Sequence, residues 1–61
     1  MAEFKEKDRV VAATNIANKH NEIIVRKGEQ GDINWVGSDN LVVHFDYAGN
    51  IRVTPNEIRH A

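Results

Sequence analysis

Hydrophobic positions along this chain come in short bursts separated by polar turns, and within the bursts they favour every second residue. The clearest burst is LVVHF, in which Leu41, Val43 and Phe45 share one face of an extended segment and Val42 and His44 share the other. In IRV, Ile51 and Val53 share a face with Arg52 opposite, and DINWV places Ile33 and Trp35 two residues apart. RVVAAT, with β-branched Val10 and Val11, predicts a first strand, and IIV, from Ile23 to Val25, predicts a short extended piece. Between them NIANKHNE carries three asparagines, a composition that favours turns and predicts a long loop. RKGEQG, GSDN and DYAGN are turn sequences by their Gly, Asn and Asp content. TPNEI predicts a helical turn, because Pro55 has no N–H to give to a sheet but suits the start of such a turn. RHA then follows as a last half-strand. No segment has a helical period, and there is no internal repeat or low-complexity stretch.

Strand pairing follows from parity. An odd number of loop residues brings the apolar faces of successive strands together, since a slip of one residue turns a strand over. A three-residue loop at Ala48-Gly49-Asn50 pairs Phe45 with Val53 and Asp46 with Arg52, with Gly49 or Asn50 in the positive-φ position such loops use. A loop at Ser38-Asp39-Asn40 likewise pairs Ile33 with Phe45 and Trp35 with Val43. The predicted core is Ile33, Trp35, Leu41, Val43, Phe45, Ile51 and Val53, closed from the flanks by Val10, Ala12 and Ile58. Gly28 is expected to supply a positive-φ turn and Gly31 a point of close approach between two strands. Residues 1–7 cancel their own charges and are expected to form a flexible lead-in to a single domain spanning 1–61, with Phe4 available to pack on it.

The segments DRVVA, RKGEQGDINWV, LVVHFD and IRVTPNEI together resemble small SH3-like domains. In those domains a charged-Gly turn enters a central strand, a valine-rich strand ends in Phe-Asp, and a short Glu-Ile or Glu-Leu segment closes the chain. The layout is similar to the photosystem I reaction-centre subunit IV family, to NifZ-type nitrogenase-accessory proteins and to KOW-type domains, over a stretch running from Asp8 to Ile58. The strand pattern and this resemblance predict an all-β fold: a five-stranded SH3-like barrel with a long first loop and a short helical turn before the last strand. The resemblance implies a non-enzymatic, protein-docking accessory role.

Composition narrows the function classes. At 61 residues the chain is one domain or part of one, and a domain of that size buries only about 60% of its unfolded surface. It has no cysteine, which removes disulfides and thiolate–metal sites and suits a reducing compartment. Eight Lys and Arg against nine Asp and Glu give a formal charge of −1, unlike the basic balance of a typical nucleic-acid binder. The longest apolar run is four residues, against about 20 for a membrane span. No signal-peptide pattern is present, so a cytoplasmic location without membrane association is the expectation.

Candidate chemistry is sparse. RKGEQGD is not a phosphate loop: Lys27 precedes Gly28, Glu29 sits inside the turn, and a strand rather than a helix follows. His20, His44 and His60 lack metal-ligand spacing, and Ser38, the single serine, sits in a turn rather than on a strand-to-helix elbow. No metal, cofactor or catalytic residue is expected, and His44 is read as a surface histidine. The remaining signal is aromatic. Trp35 and Tyr47 flank the central strands and Arg52 points outward, and aromatic and Arg side chains are the usual anchors of interfaces. Trp35, Tyr47 and Arg52 are therefore the candidate partner-binding residues, set against a reading in which Trp35 only covers the core. The leading expectation is a small protein-binding or regulatory module that docks on a larger partner or self-associates. The alternative is a nucleic-acid-associated module of KOW type, which a steep salt dependence of binding would reveal.

Overall fold

Alternation along Leu41–Phe45 places Leu41, Val43 and Phe45 in the core, Val42 half-buried and His44 in solvent. That strand lies inside the main sheet of a computed structural model that describes residues 3–61; Met1 and Ala2 of the predicted lead-in fall outside the described residues. In chain order the elements are β1 (Arg9–Ala12), β2 (Ile16–Ala17), β3 (Ile23–Val25), β4 (Gln30–Val36), β5 (Leu41–Phe45) and β6 (Gly49–Val53). One turn of 3-10 helix at Pro55–Glu57 then leads into β7 (Ile58–His60). The fold is all-β. Five strands form an antiparallel sheet in the order β6-β5-β4-β1-β7, and β2 and β3 pair as a separate hairpin.

Two expectations are corrected at this level. The long first loop is not wholly loop, because Ile16 pairs with Val25 to make β2–β3 and both side chains are buried. Seven strands therefore replace the expected five. The sheet is also open rather than closed into a barrel by pairing: among the described residues no ladder joins β6 to β7. Pro55 carries no N–H, and the 3-10 turn it starts hands the chain across to the far edge of the sheet, beside β1.

Parity holds in one hairpin and fails in the other. In β5–β6, Leu41 faces Val53, Val43 faces Ile51 and Phe45 faces Gly49, so the loop has three residues, Asp46–Ala48. The odd count is as expected but the loop sits two residues earlier, and Gly49, at φ +80°, opens β6. In β4–β5, Val36 faces Leu41, which leaves an even, four-residue loop from Gly37 to Asn40. A bulge between Ile33 and Trp35 restores the core face: Ile33 faces Val43 and is buried, whereas Trp35 faces Val42 and is 47% exposed. Trp35 is thus removed from the predicted core, and Ile51 is only partly buried against it. The buried set is Val10, Ala12, Ile16, Val25, Ile33, Leu41, Val43, Phe45, Val53 and Ile58. Among the described residues no polar or charged side chain joins it.

The turn before β4 behaves as its glycine predicts. Gly28 has φ +96°, and a Cβ built on it meets nothing within 4 Å, so the constraint there is conformational rather than steric. Gly28→Ala is expected to destabilise by about 1 kcal/mol, and Gly28→Asn by less, since Asn tolerates the left-handed region better. Urea denaturation of the three chains checks this, and equal midpoints for wild type and Gly28→Ala would refute it.

Candidate functional site

The bulge that expels Trp35 from the core also sets its neighbours. Trp35, Val42 and Arg52 form one cross-strand row over β4, β5 and β6, on the face of the sheet opposite Val43. The indole leans toward the β4–β5 loop: a Cβ on Gly37 would overlap Trp35 Cη2, so a side chain there has to push the ring aside. Arg52 is exposed at the other end of the row. Tyr47, 92% exposed, sits in the β5–β6 loop, at the opposite end of β5 from Val42. The structure therefore groups Trp35 with Arg52 and sets Tyr47 apart, about five residues or ~16 Å of extended chain away.

On the other face of the sheet from the Trp35 row, where Leu41 points, lies a groove of about 430 Å³ that no local motif announces. Phe4, Val36, Leu41, Pro55, Ile58 and His60 line it, so four separate segments of the chain contribute. Each is held by identifiable contacts. Phe4 stacks on His60 with ring centroids 4.6 Å apart, and His60 Nε2 lies 3.3 Å from Asp8 Oδ2. The lead-in is pinned further by Lys7 N–H donating to Ile33 C=O at 2.7 Å and Lys5 N–H donating to Asp8 Oδ2 at 3.0 Å. At the other side Thr54 N–H donates to Glu57 Oε1 at 2.8 Å, which fixes the 3-10 turn and hence Pro55. Val36 is 38% exposed because it ends β4 where the sheet runs into its loop. The sequence signal for this site was thin: Trp35 and Val36 are adjacent, so alternation alone could not bury both.

Away from the Trp35 row, the outer face of the sheet is polar and internally paired. The Arg9 guanidinium grips Asp46, with Nη1 3.0 Å from Oδ1, and reaches Asp32 Oδ1 at 3.2 Å. Asn50 Oδ1 accepts from Asn34 Nδ2 at 3.3 Å and lies 3.2 Å from His44 Nδ1. Asp46 is thus joined to Arg9 rather than to Arg52. Hydrogen bonding from Arg9 holds the Asp46 carboxyl below its ordinary range, and the Lys5 N–H, followed by His60, does the same for Asp8. A carboxyl whose folded pKa lies below its unfolded value adds stability above the unfolded pKa and loses it as pH falls through the folded one. The urea midpoint is therefore expected to fall between about pH 5 and pH 2, and less steeply in Asp46→Asn. A midpoint independent of pH in that window would refute the assignment.

Among the described residues no three His, Cys, Asp or Glu side chains come together as a metal site. No helix there is long and apolar enough to cross a membrane. No protein-family model, curated protein or solved structure matches the chain.

Proposed function

We propose that this chain is a small non-enzymatic binding module of SH3-like layout that docks on a protein partner through the β4–β5 end of its sheet. The layout is supported by the order β6-β5-β4-β1-β7, by a hairpin inserted between β1 and β4, and by a 3-10 turn just before the last strand. The docking role is carried by one observation: two exposed apolar side chains end β4 on opposite faces of the sheet, Trp35 in a row with Arg52 and Val36 lining an apolar groove. Contiguous apolar surface rimmed by polar groups marks interaction sites, and Trp and Arg are enriched among their energetic anchors. A KOW-type nucleic-acid module is the second reading, favoured by the same row, because an exposed indole can stack a base while Arg52 meets a phosphate. The net charge of −1 weighs against it.

The test is to immobilise the chain, pass a nuclease-treated extract of its own cells over it, and titrate the purified retained protein. Trp35→Ala is expected to weaken binding by about tenfold or more while the circular dichroism spectrum is kept. Tyr47→Ala is expected to leave binding unchanged, and affinity to vary little with salt. Undiminished binding by Trp35→Ala removes the docking surface, and a salt slope of several phosphate contacts moves the assignment to nucleic acid.

A further inference from the structure

β7 is an edge strand, and its hydrogen-bonding sides can be assigned residue by residue. Ala13 N–H donates to Glu57 C=O at 2.8 Å and Ala61 N–H to Arg9 C=O at 3.1 Å, so residues 57, 59 and 61 turn their backbone groups toward β1. Backbone groups alternate sides along a strand. Ile58 and His60 therefore turn their N–H and C=O outward, where among the described residues no backbone or side-chain group takes them. The same two residues line the apolar groove; Arg59 between them also borders it, while alternation along β7 sends its side chain toward the face opposite Ile58, exposed and with no ion-pair partner among the described residues.

These observations go beyond the docking role proposed above and rest on it. We infer that the partner is recognised as an extended segment of the pattern apolar–acidic–apolar, added antiparallel to the free edge of β7. Its two apolar residues stand opposite Ile58 and His60 and enter the groove toward Val36, Leu41 and Pro55. Its carboxylate stands opposite Arg59 on the outer face, because directly opposed residues in a ladder share a face. Strand addition draws affinity from main-chain bonds and specificity from alternate side chains. Charge selects this occupant over a second copy. The twofold pairing of β7 with β7 that satisfies both Ile58 and His60 sets Arg59 against Arg59, with Cβ atoms about 5 Å apart and like charges opposed.

The experiment is an NMR titration of the full chain with a capped heptapeptide that alternates valine with threonine around a central glutamate. The Ile58 and His60 amides are expected to shift and to gain at least tenfold protection from hydrogen exchange. Replacing the glutamate by lysine is expected to weaken binding at least tenfold, and Arg59→Glu, which alters only an exposed side chain, to invert that preference. The inference is overturned if the peptide does not bind at millimolar concentration, if other amides respond instead, or if glutamate and lysine peptides bind alike. Concentration-dependent dimerisation of the free chain through β7 overturns it too, in favour of a second copy. If the peptide fails while Trp35-dependent docking holds, the edge assignment falls and the docking role stands. The reverse result removes the Trp35 surface and keeps the edge.

Discussion

Val43→Asp is expected to unfold the domain, and Val42→Asp, one residue earlier, to leave it folded. Val43 is 0% exposed, in register with Ile33 on one side and Ile51 on the other. A carboxylate there has no donor to meet, since among the described residues the core holds no polar side chain. Loss of the buried valine costs about 1.5–3 kcal/mol, and an unpaired buried carboxyl adds several more. A 61-residue domain holds roughly 3–9 kcal/mol in total, so the sum meets or exceeds what is available. Val42 lies on the outer face between Trp35 and Arg52, where a carboxylate stays wet and gains a cation beside it. Its replacement is expected to cost about 1 kcal/mol, the span of strand propensities. Circular dichroism and urea denaturation of both variants check this. If the Val43 variant denatures cooperatively near the wild-type midpoint, the assignment of inner and outer faces is wrong.

That pair of faces was legible in the sequence because a period of two needs only a few residues to declare itself, and Leu41–Phe45 supplies five. The 3-10 turn at Pro55 and the positive φ at Gly28 were legible too, since each residue type has one dominant backbone use. What could not be read was any feature set by two segments at once. The bulge at Asn34 inserts a residue without a sequence mark, and it alone decides that Trp35 faces solvent. β2 is two residues long inside an Asn-rich stretch, and its partner Val25 defines it more than its own composition does. The candidate site suffered in the same way. Trp35 and Arg52 meet through Val42, as strand alternation allows, but Tyr47 stands apart from them because the β5–β6 loop falls at Asp46–Ala48, a position composition does not fix. The groove needs Phe4, Val36, Leu41 and the segment from Pro55 to His60 brought from four places, and only the sheet order does that.

Gly31→Ala is expected to cost about 3 kcal/mol, the upper part of the overpacking range. Its reason differs from that at Gly28. Gly31 sits in β4, the strand shared by both halves of the sheet, opposite Val10 on one side and Phe45 on the other. On its inward face a Cβ would lie 2.6 Å from His44 O, 2.7 Å from Phe45 Cα and 2.9 Å from Val43 Cγ1. The valine methyl can move by rotation, but the carbonyl oxygen and the Cα belong to the β5 backbone and can yield only if β4 and β5 separate. In a domain of this size each kcal/mol is worth about 4–8 °C, so the thermal midpoint is expected to drop by roughly 12–24 °C. The loss should begin locally. Asp46 N–H donates to Gln30 C=O at 3.0 Å next to the clash, and that amide should lose hydrogen-exchange protection before those of β1. A smaller destabilisation than that of Gly28→Ala would contradict the steric account, because the strain at Gly28 is conformational alone. So would an Asp46 amide as protected as in the wild type, since strand separation must pass through that bond.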